Sequence, residues 1–256
     1  IIAEDKWTDI ALWEPSSPKL YTMTLSCLEG VDLVDQTTPL KFGFRDFKIK
    51  GKFFYLNGIK FNLKPCAYWP FKGNWHTMDA MRHWIRKAKA AGYNYVYIED
   101  ATPPGRPDAN PYIVEVCDEE GMLVGLGPLP VTGFFSDIDE PKAWDDWTMR
   151  AEHDIRRVIN HPSLVMWRMN MNGNCYAQDQ NPLLLDGKMD FKPDSPSAKK
   201  AYAMLKSNAF VRLIDPTRPT YNHACGKTGE LYTLNNYLGW PEQQDLREWL
   251  RRRAAY

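Results

Sequence analysis

Hydrophobic and polar positions follow one rhythm over the first 60 residues of the chain and another from residue 76 onward. Residues 7–13 and 20–35 are predicted strands, separated by Glu14-Pro15-Ser16-Ser17-Pro18, a turn whose prolines cannot sit inside a hydrogen-bonded ladder. In Leu20-Tyr21-Thr22-Met23-Thr24-Leu25-Ser26-Cys27-Leu28 the β-branched, aromatic and apolar residues favour an extended chain, and Gly30 ends it. Between Lys48 and Lys60 the pair Asn57-Gly58 is the strongest short hairpin signal in the sequence. Residues 1–50 therefore form an all-β segment.

The pattern then changes to helical spacing. From His76 to Ala91, the residues Met81, Trp84, Ile85 and Ala88 fall on one face of a 3.6-residue period, with Thr77 as N-cap and Gly92 just past the end. Tyr93 to Ile98 is a short apolar strand. Pro111 to Glu120 reads as a helix stopped by Gly121, and Met122 to Leu126 as a strand closed by Gly127-Pro128. Trp147, Ala151, Ile155 and Val158 mark an amphipathic helix over 145–159, followed by a strand over 163–169. Ser195-Pro196, a cap followed by proline at the first helical position, opens a helix to about Leu213. Thr220 to Ala224 and Leu231 to Leu234 are further strands. This βα alternation defines the α/β class and suits either an open doubly wound sheet or a (β/α) barrel. The chain has no GxGxxG between a strand and a helix and no GxxxxGK[ST], the commonest ligand devices of doubly wound sheets. Polar groups such as Glu99-Asp100, Asn170 to Asn174, Asn222-His223 and Asn235-Asn236-Tyr237 follow apolar strands, where barrel sites are assembled.

Composition narrows the chemistry. Lys and Arg total 32 and balance 32 Asp and Glu, so no basic field supports nucleic-acid binding. No apolar run reaches the 18 or more residues that span a bilayer, and Ile1-Ile2-Ala3-Glu4-Asp5 is neither an initiator methionine nor a signal peptide, as expected of an internal portion of a longer polypeptide. Five cysteines never form a CxxC and read as buried free thiols. The five histidines make no HExxH and stand at no metal-ligand spacing from cysteine, so neither a metal nor a cofactor is expected. A GxSxG elbow is also missing.

Aromatic residues, among them 10 Trp and 13 Tyr, exceed what a core needs. Trp69, Tyr237 and Trp240 lie in loops after strands, where a ring can cover the apolar face of a sugar, whereas Trp84, Trp147 and Trp167 are patterned toward the core. The run Asp118-Glu119-Glu120 reads as a solvated or capping cluster. Glu99 and Asp100 after a hydrophobic strand, and Asp179 in a loop dense with hydrogen-bonding groups, are the candidate catalytic carboxylates. Asn170, Asn172, His223 and Asn235 are candidate binding residues, together with Trp69, Tyr237 and Trp240. Amides, carboxylates and rings converging at strand ends point to a carbohydrate ligand.

Leu12-Trp13-Glu14-Pro15, Pro18-Lys19-Leu20-Tyr21, Phe42-Gly43-Phe44-Arg45, Phe54-Tyr55-Leu56-Asn57-Gly58 and His161-Pro162-Ser163-Leu164-Val165-Met166-Trp167 together resemble glycoside hydrolase family 2, the β-galactosidases, β-glucuronidases and β-mannosidases. The resemblance implies the last strands of an immunoglobulin-like sandwich over 1–50. It implies about six units of a (β/α)₈ TIM barrel over 51–256, with Asp215-Pro216-Thr217-Arg218-Pro219 approaching the fifth strand and Asn235-x-Tyr237 ending the sixth. It also implies an exo-acting, retaining glycosidase acting on an oligosaccharide or polysaccharide, in the periplasm or outside the cell, with no cofactor and no nucleic-acid or membrane partner.

Retaining chemistry uses one carboxyl as acid/base and another as nucleophile, about 5 Å apart. The family carries the acid as the Glu of an Asn-Glu pair five residues beyond the fourth-strand Trp. Counting from Trp167 places Met171 and Asn172 there, and an amide cannot serve as that acid. Asp100-Ala101-Thr102-Pro103 likewise replaces the His-Tyr-Pro expected after the second strand. The nucleophile is expected beyond Tyr256. Two outcomes stay open: a divergent enzyme whose acid is Asp179, Glu99 or Asp100, and an inactive carbohydrate-binding relative. A different class, a barrel lyase or aldolase, would need an inner-strand lysine, for which Lys64 is the candidate.

Overall fold

The structure is a computed structural model. It describes residues 6–68, 77–98, 109–127, 138–169, 196–223, 228–231, 233, 242–244, 247–248 and 251. The chain divides into two compact units, Ile1–Gly125 with Arg157–Val165, and Leu126–Arg156 with Met166–Tyr256.

The first unit begins with small antiparallel pieces. β1 (Tyr21–Met23) pairs with β4 (Leu40–Phe42), and β2 (Ser26–Glu29) pairs with β3 (Asp32–Gln36). Gly30, at φ 64°, makes the β2–β3 turn. β5 (Phe47–Lys50), β6 (Phe53–Leu56) and β7 (Ile59–Phe61) form a three-stranded meander. Its second turn is Asn57-Gly58, where both residues adopt positive φ (52° and 82°) as a type I′ hairpin demands. Residues 7–13 form no strand. Instead of a ladder, Trp13 makes a single backbone bond to the Phe44 carbonyl, and its indole is fully buried.

The βα portion starts with β8 (Pro65–Tyr68), α1 (Met78–Ala90), β9 (Tyr95–Ile98), α2 (Ala109–Glu120) and β10 (Leu123–Leu126). Thr77 caps α1 as its pattern predicts, its hydroxyl accepting from the Ala80 N–H. Met81, Ile85 and Ala88 are buried, whereas Trp84 is only half-buried, a departure from its expected place in the core. The free thiols also differ from expectation: Cys117 is buried, Cys66 half-buried and Cys27 exposed.

α3 (Pro141–Val158), β11 (Leu164–Arg168), α4 (Pro196–Ile214) and β12 (Thr220–Tyr221) complete the alternation. Trp147, Ala151, Ile155 and Val158 are all buried, as the α3 spacing requires. Trp144 stacks on Trp147, and both meet the Phe210 ring of α4 edge-on. These five strands form one parallel sheet in the order β12-β11-β10-β9-β8. Strand order thus follows chain order without reversing, as in a barrel and unlike a doubly wound sheet. The fold is a partial parallel sheet with flanking helices, preceded by small antiparallel sheets. Of the predicted strand over 231–234, Leu231 and Thr233 are described, Leu231 in a bend and Thr233 at an isolated bridge. Among the described residues no helix is long and apolar enough to cross a membrane.

Candidate functional site

Two polar clusters hold the motifs of the sequence in place. In the first unit, Asp118 is 1% exposed, not solvated as its acidic run suggests. Its carbonyl accepts from Trp13 Nε1 at 2.9 Å, Oδ1 accepts from the Ser163 N–H at 2.9 Å, and Oδ2 lies 2.5 Å from His161 Nδ1. Arg45 donates through Nε to the Pro162 carbonyl and through a terminal nitrogen to that of Leu164. Gly43 lies against the Pro162 ring so closely that a Cβ would come within 2.8 Å. Phe-Gly-Phe-Arg and His-Pro-Ser-Leu are therefore one docking joint, and one polar contact of His161 is with the Asp118 carboxylate. The rest of the acidic run is ion-paired: Glu119 with Lys41 and Arg82, Glu120 with Arg86 and Arg82.

The second cluster lies at the entry to β12. Asp215, fully buried, accepts from Trp167 Nε1 and Arg218 at Oδ2 and from the Thr217 N–H and hydroxyl at Oδ1. The Asp-Pro-Thr-Arg-Pro segment thus joins the end of α4 to β11 and leads into the fifth strand of the sheet, where the resemblance puts it.

At the opposite end of the same strands are the groups that can meet a ligand. Trp167 pairs with Thr220 and Arg168 with Tyr221. Parallel pairing therefore puts Arg168 and Tyr221 on one face and Trp167 and Thr220 on the other, and His223, in the turn just beyond β12, lies close enough to Arg168 to feel its charge. The second face is the one toward α4, since Trp167 reaches Asp215, while Asn222 and the α4 residue Asn208 both bond Thr228. Arg168 is 6% exposed, a cation inside the sheet's other face. His223 is half-buried, and burial, aided by the Arg168 charge, lowers its pKa below the ordinary 6.5. A neutral imidazole offers one donor and one acceptor, which suits a hydroxyl-bearing ligand. Gly127, just past β10, approaches the Arg168 carbonyl so closely that a Cβ would stand 2.6 Å from it.

Of the candidate glycosidase residues, His223 is the one whose structure is described. Glu99, Asp100, Asp179, Asn170, Asn172, Asn235, Tyr237, Trp240 and Trp69 lie outside the described residues. Arg168 escaped sequence reasoning because it sits inside an apolar run; the signal was a lone charge within a five-residue buried strand. Lys64 is exposed and enters β8, bonded through its backbone to Asn94, so it lies at the amino end of its strand. Barrel chemistry is built at the carboxyl ends, which removes the support for a Schiff-base lysine there. Among the described residues no group of three His, Cys, Asp or Glu could hold a metal ion.

This fold, a parallel βα sheet behind small antiparallel sheets, is that of family 2 glycosyl hydrolases: a member from Bacteroides cellulosilyticus superposes with a TM-score of 0.58 over 83% of this chain and 26% of its own, at 22% identity. No family model matches the sequence. A provisionally named β-glucuronidase of Formosa agariphila is 32% identical over 62% of this chain and 15% of its own length. A β-galactosidase of Thermoanaerobacterium thermosulfurigenes is 26% identical over 90% of this chain and 28% of its own. The chain thus spans less than a third of the length of these relatives. It is homologous, at low identity and over part of their length, to the β-galactosidases and β-glucuronidases of glycoside hydrolase family 2.

Proposed function

We propose that the polypeptide carrying this chain is a glycoside hydrolase that cleaves O-glycosidic bonds of an oligosaccharide or polysaccharide, exo-acting and with retention. Residues 1–50 supply strands of an immunoglobulin-like sandwich and residues 51–256 about six units of a (β/α)₈ barrel. The observation that carries the reading is homology to β-glycosidases spanning up to 90% of the chain. A neutral, half-buried His223 at the carboxyl end of β12 supports it as a sugar-binding residue. Asn170, Asn172, Asn235, Tyr237, Trp240 and Trp69 are proposed to bind the sugar alongside it.

Because Asn172 occupies the position of the family acid, protonation of the leaving oxygen falls to another carboxyl, Asp179 first and Glu99 or Asp100 next. The test uses that polypeptide on p-nitrophenyl β-D-galactoside and β-D-glucuronide and on the matching disaccharides. Asp179→Asn should lose most turnover of the disaccharides and keep more on the activated aryl glycosides, which need less protonation. Unchanged turnover on both sets excludes Asp179. A wild type that turns over no glycoside yet binds sugars is the carbohydrate-binding relative, a second reading that the Asn172 substitution favours.

A further inference from the structure

Asn222 is fully buried between β12 and the chain that follows it, yet among the described residues its amide is only half used. Nδ2 donates to Thr228 Oγ1 at 3.0 Å, while Oδ1 has no hydrogen-bond partner among the described residues. Exchanging the two amide atoms would not help, because the unmet group would become a donor. A buried amide with one unmet atom costs about as much as its single bond returns, so stability alone does not account for an asparagine at this position.

What the amide does is local. The Thr233 hydroxyl donates to the Asn222 main-chain carbonyl, the oxygen of the peptide group that joins Asn222 to His223. Thr228, which receives the amide, is itself held at its carbonyl by Asn208 Nδ2 of α4. Glu230 closes the return: its N–H donates to the Thr220 carbonyl at 3.0 Å and its carboxylate accepts the Thr220 N–H at 2.8 Å. Gly229 passes so near β12 that a Cβ would lie 2.9 Å from the Thr220 carbonyl. The chain beyond His223 is thus stitched to Thr220 and to Asn222, whose carbonyl belongs to the Asn222–His223 peptide.

We propose that Asn222 and Thr233 are positioning residues, fixing the peptide between Asn222 and His223 and so directing the imidazole toward the sugar. The proposal rests on the reading of His223 as a sugar-binding residue, and its first readout needs no sugar. In the polypeptide labelled at histidine ¹³Cε1, the His223 signal is identified by its loss in His223→Gln. Thr233→Val exchanges the hydroxyl for a methyl of the same shape. It should displace or broaden the His223 signal while the other histidine signals stay in place, and Thr233→Ser should restore it. Asn222→Leu should act in the same direction. The KM for whichever p-nitrophenyl β-glycoside is turned over should rise about five- to tenfold in Thr233→Val, the worth of one hydrogen bond, with a smaller change in kcat. An unmoved His223 signal in folded Thr233→Val overturns the proposal. So does failure of Thr233→Val to fold, because the bond would then be holding the whole unit. A displaced signal in a polypeptide that neither binds nor cleaves any glycoside keeps the positioning role and overturns the functional reading alone.

Discussion

Replacing Asp215 by Asn removes the charge around which the entry to β12 is built. The carboxylate is fully buried, and Arg218, its 2.8 Å partner, is 6% exposed. Four donors converge on its two oxygens, from Trp167, Arg218 and twice from Thr217. An amide of the same shape can accept at one oxygen only and turns its NH₂ toward the donors at the other. Breaking a buried ion pair from one side costs about 3–5 kcal/mol, and that is the expected loss for Asp215→Asn at pH 7, read from urea unfolding followed by tryptophan fluorescence. Burial is the largest single influence on Asp215 and alone would raise its pKa. The Arg218 charge and the hydrogen bonds from Thr217, Arg218 and Trp167 outweigh it and hold the carboxyl below the ordinary carboxylate value. A carboxyl lowered on folding contributes its stability above the unfolded pKa of about 3.9 and loses it as pH falls through the folded value. The gap between wild type and variant should therefore close below about pH 4. Adding Arg218→Met should restore part of the loss, since the stranded guanidinium is then gone. A loss under about 1 kcal/mol at pH 7, or a gap that stays constant down to pH 2, refutes the role assigned to Asp215.

Gly121 holds φ at 71° directly against the Pro15 carbonyl, where a Cβ would stand 2.3 Å from oxygen, whereas Gly30 holds a similar φ of 64° with nothing within 4 Å. Gly30→Ala should cost only the conformational penalty of about 1–2 kcal/mol, and Gly121→Ala clearly more; equal losses in thermal or urea unfolding would show that the contact with Pro15 gives way. Arg45→Lys keeps the charge but cannot span the carbonyls of Pro162 and Leu164 together. A loss of about 1–3 kcal/mol is expected from the same assay, one hydrogen bond from a charged donor, and a loss within error would show that the two-point contact adds nothing.

The order and type of the βα elements from α1 to β12 were readable from the chain because each has a local cause, whereas β8 (Pro65–Tyr68) was not among the strands the sequence pointed to. The 3.6-residue spacing of Met81, Ile85 and Ala88 marks α1, Thr77 caps it, and Asn57-Gly58 imposes the one turn its positive φ values allow. Apolar runs of four or five residues marked β9, β10 and β11 for the same reason: strands buried on both faces carry no polar alternation. What these signals could not convey is which distant groups meet. Asp118 looks like any helix-terminal acid until the fold brings Trp13, His161 and Ser163 around it, and residues 7–13 carry strand-like residues but find no ladder partner. Trp84 shares the helical period of the core, yet the neighbours available to it cover only part of its ring. The candidate site divides in the same way. His223 was visible as a polar residue after an apolar run, whereas Arg168 became visible only when strand pairing set it beside Tyr221 and brought its charge near the imidazole. Local sequence determines backbone preference over a few residues; burial, pairing and the environment of a titrating group are set by segments tens of residues apart, and those only tertiary packing assembles.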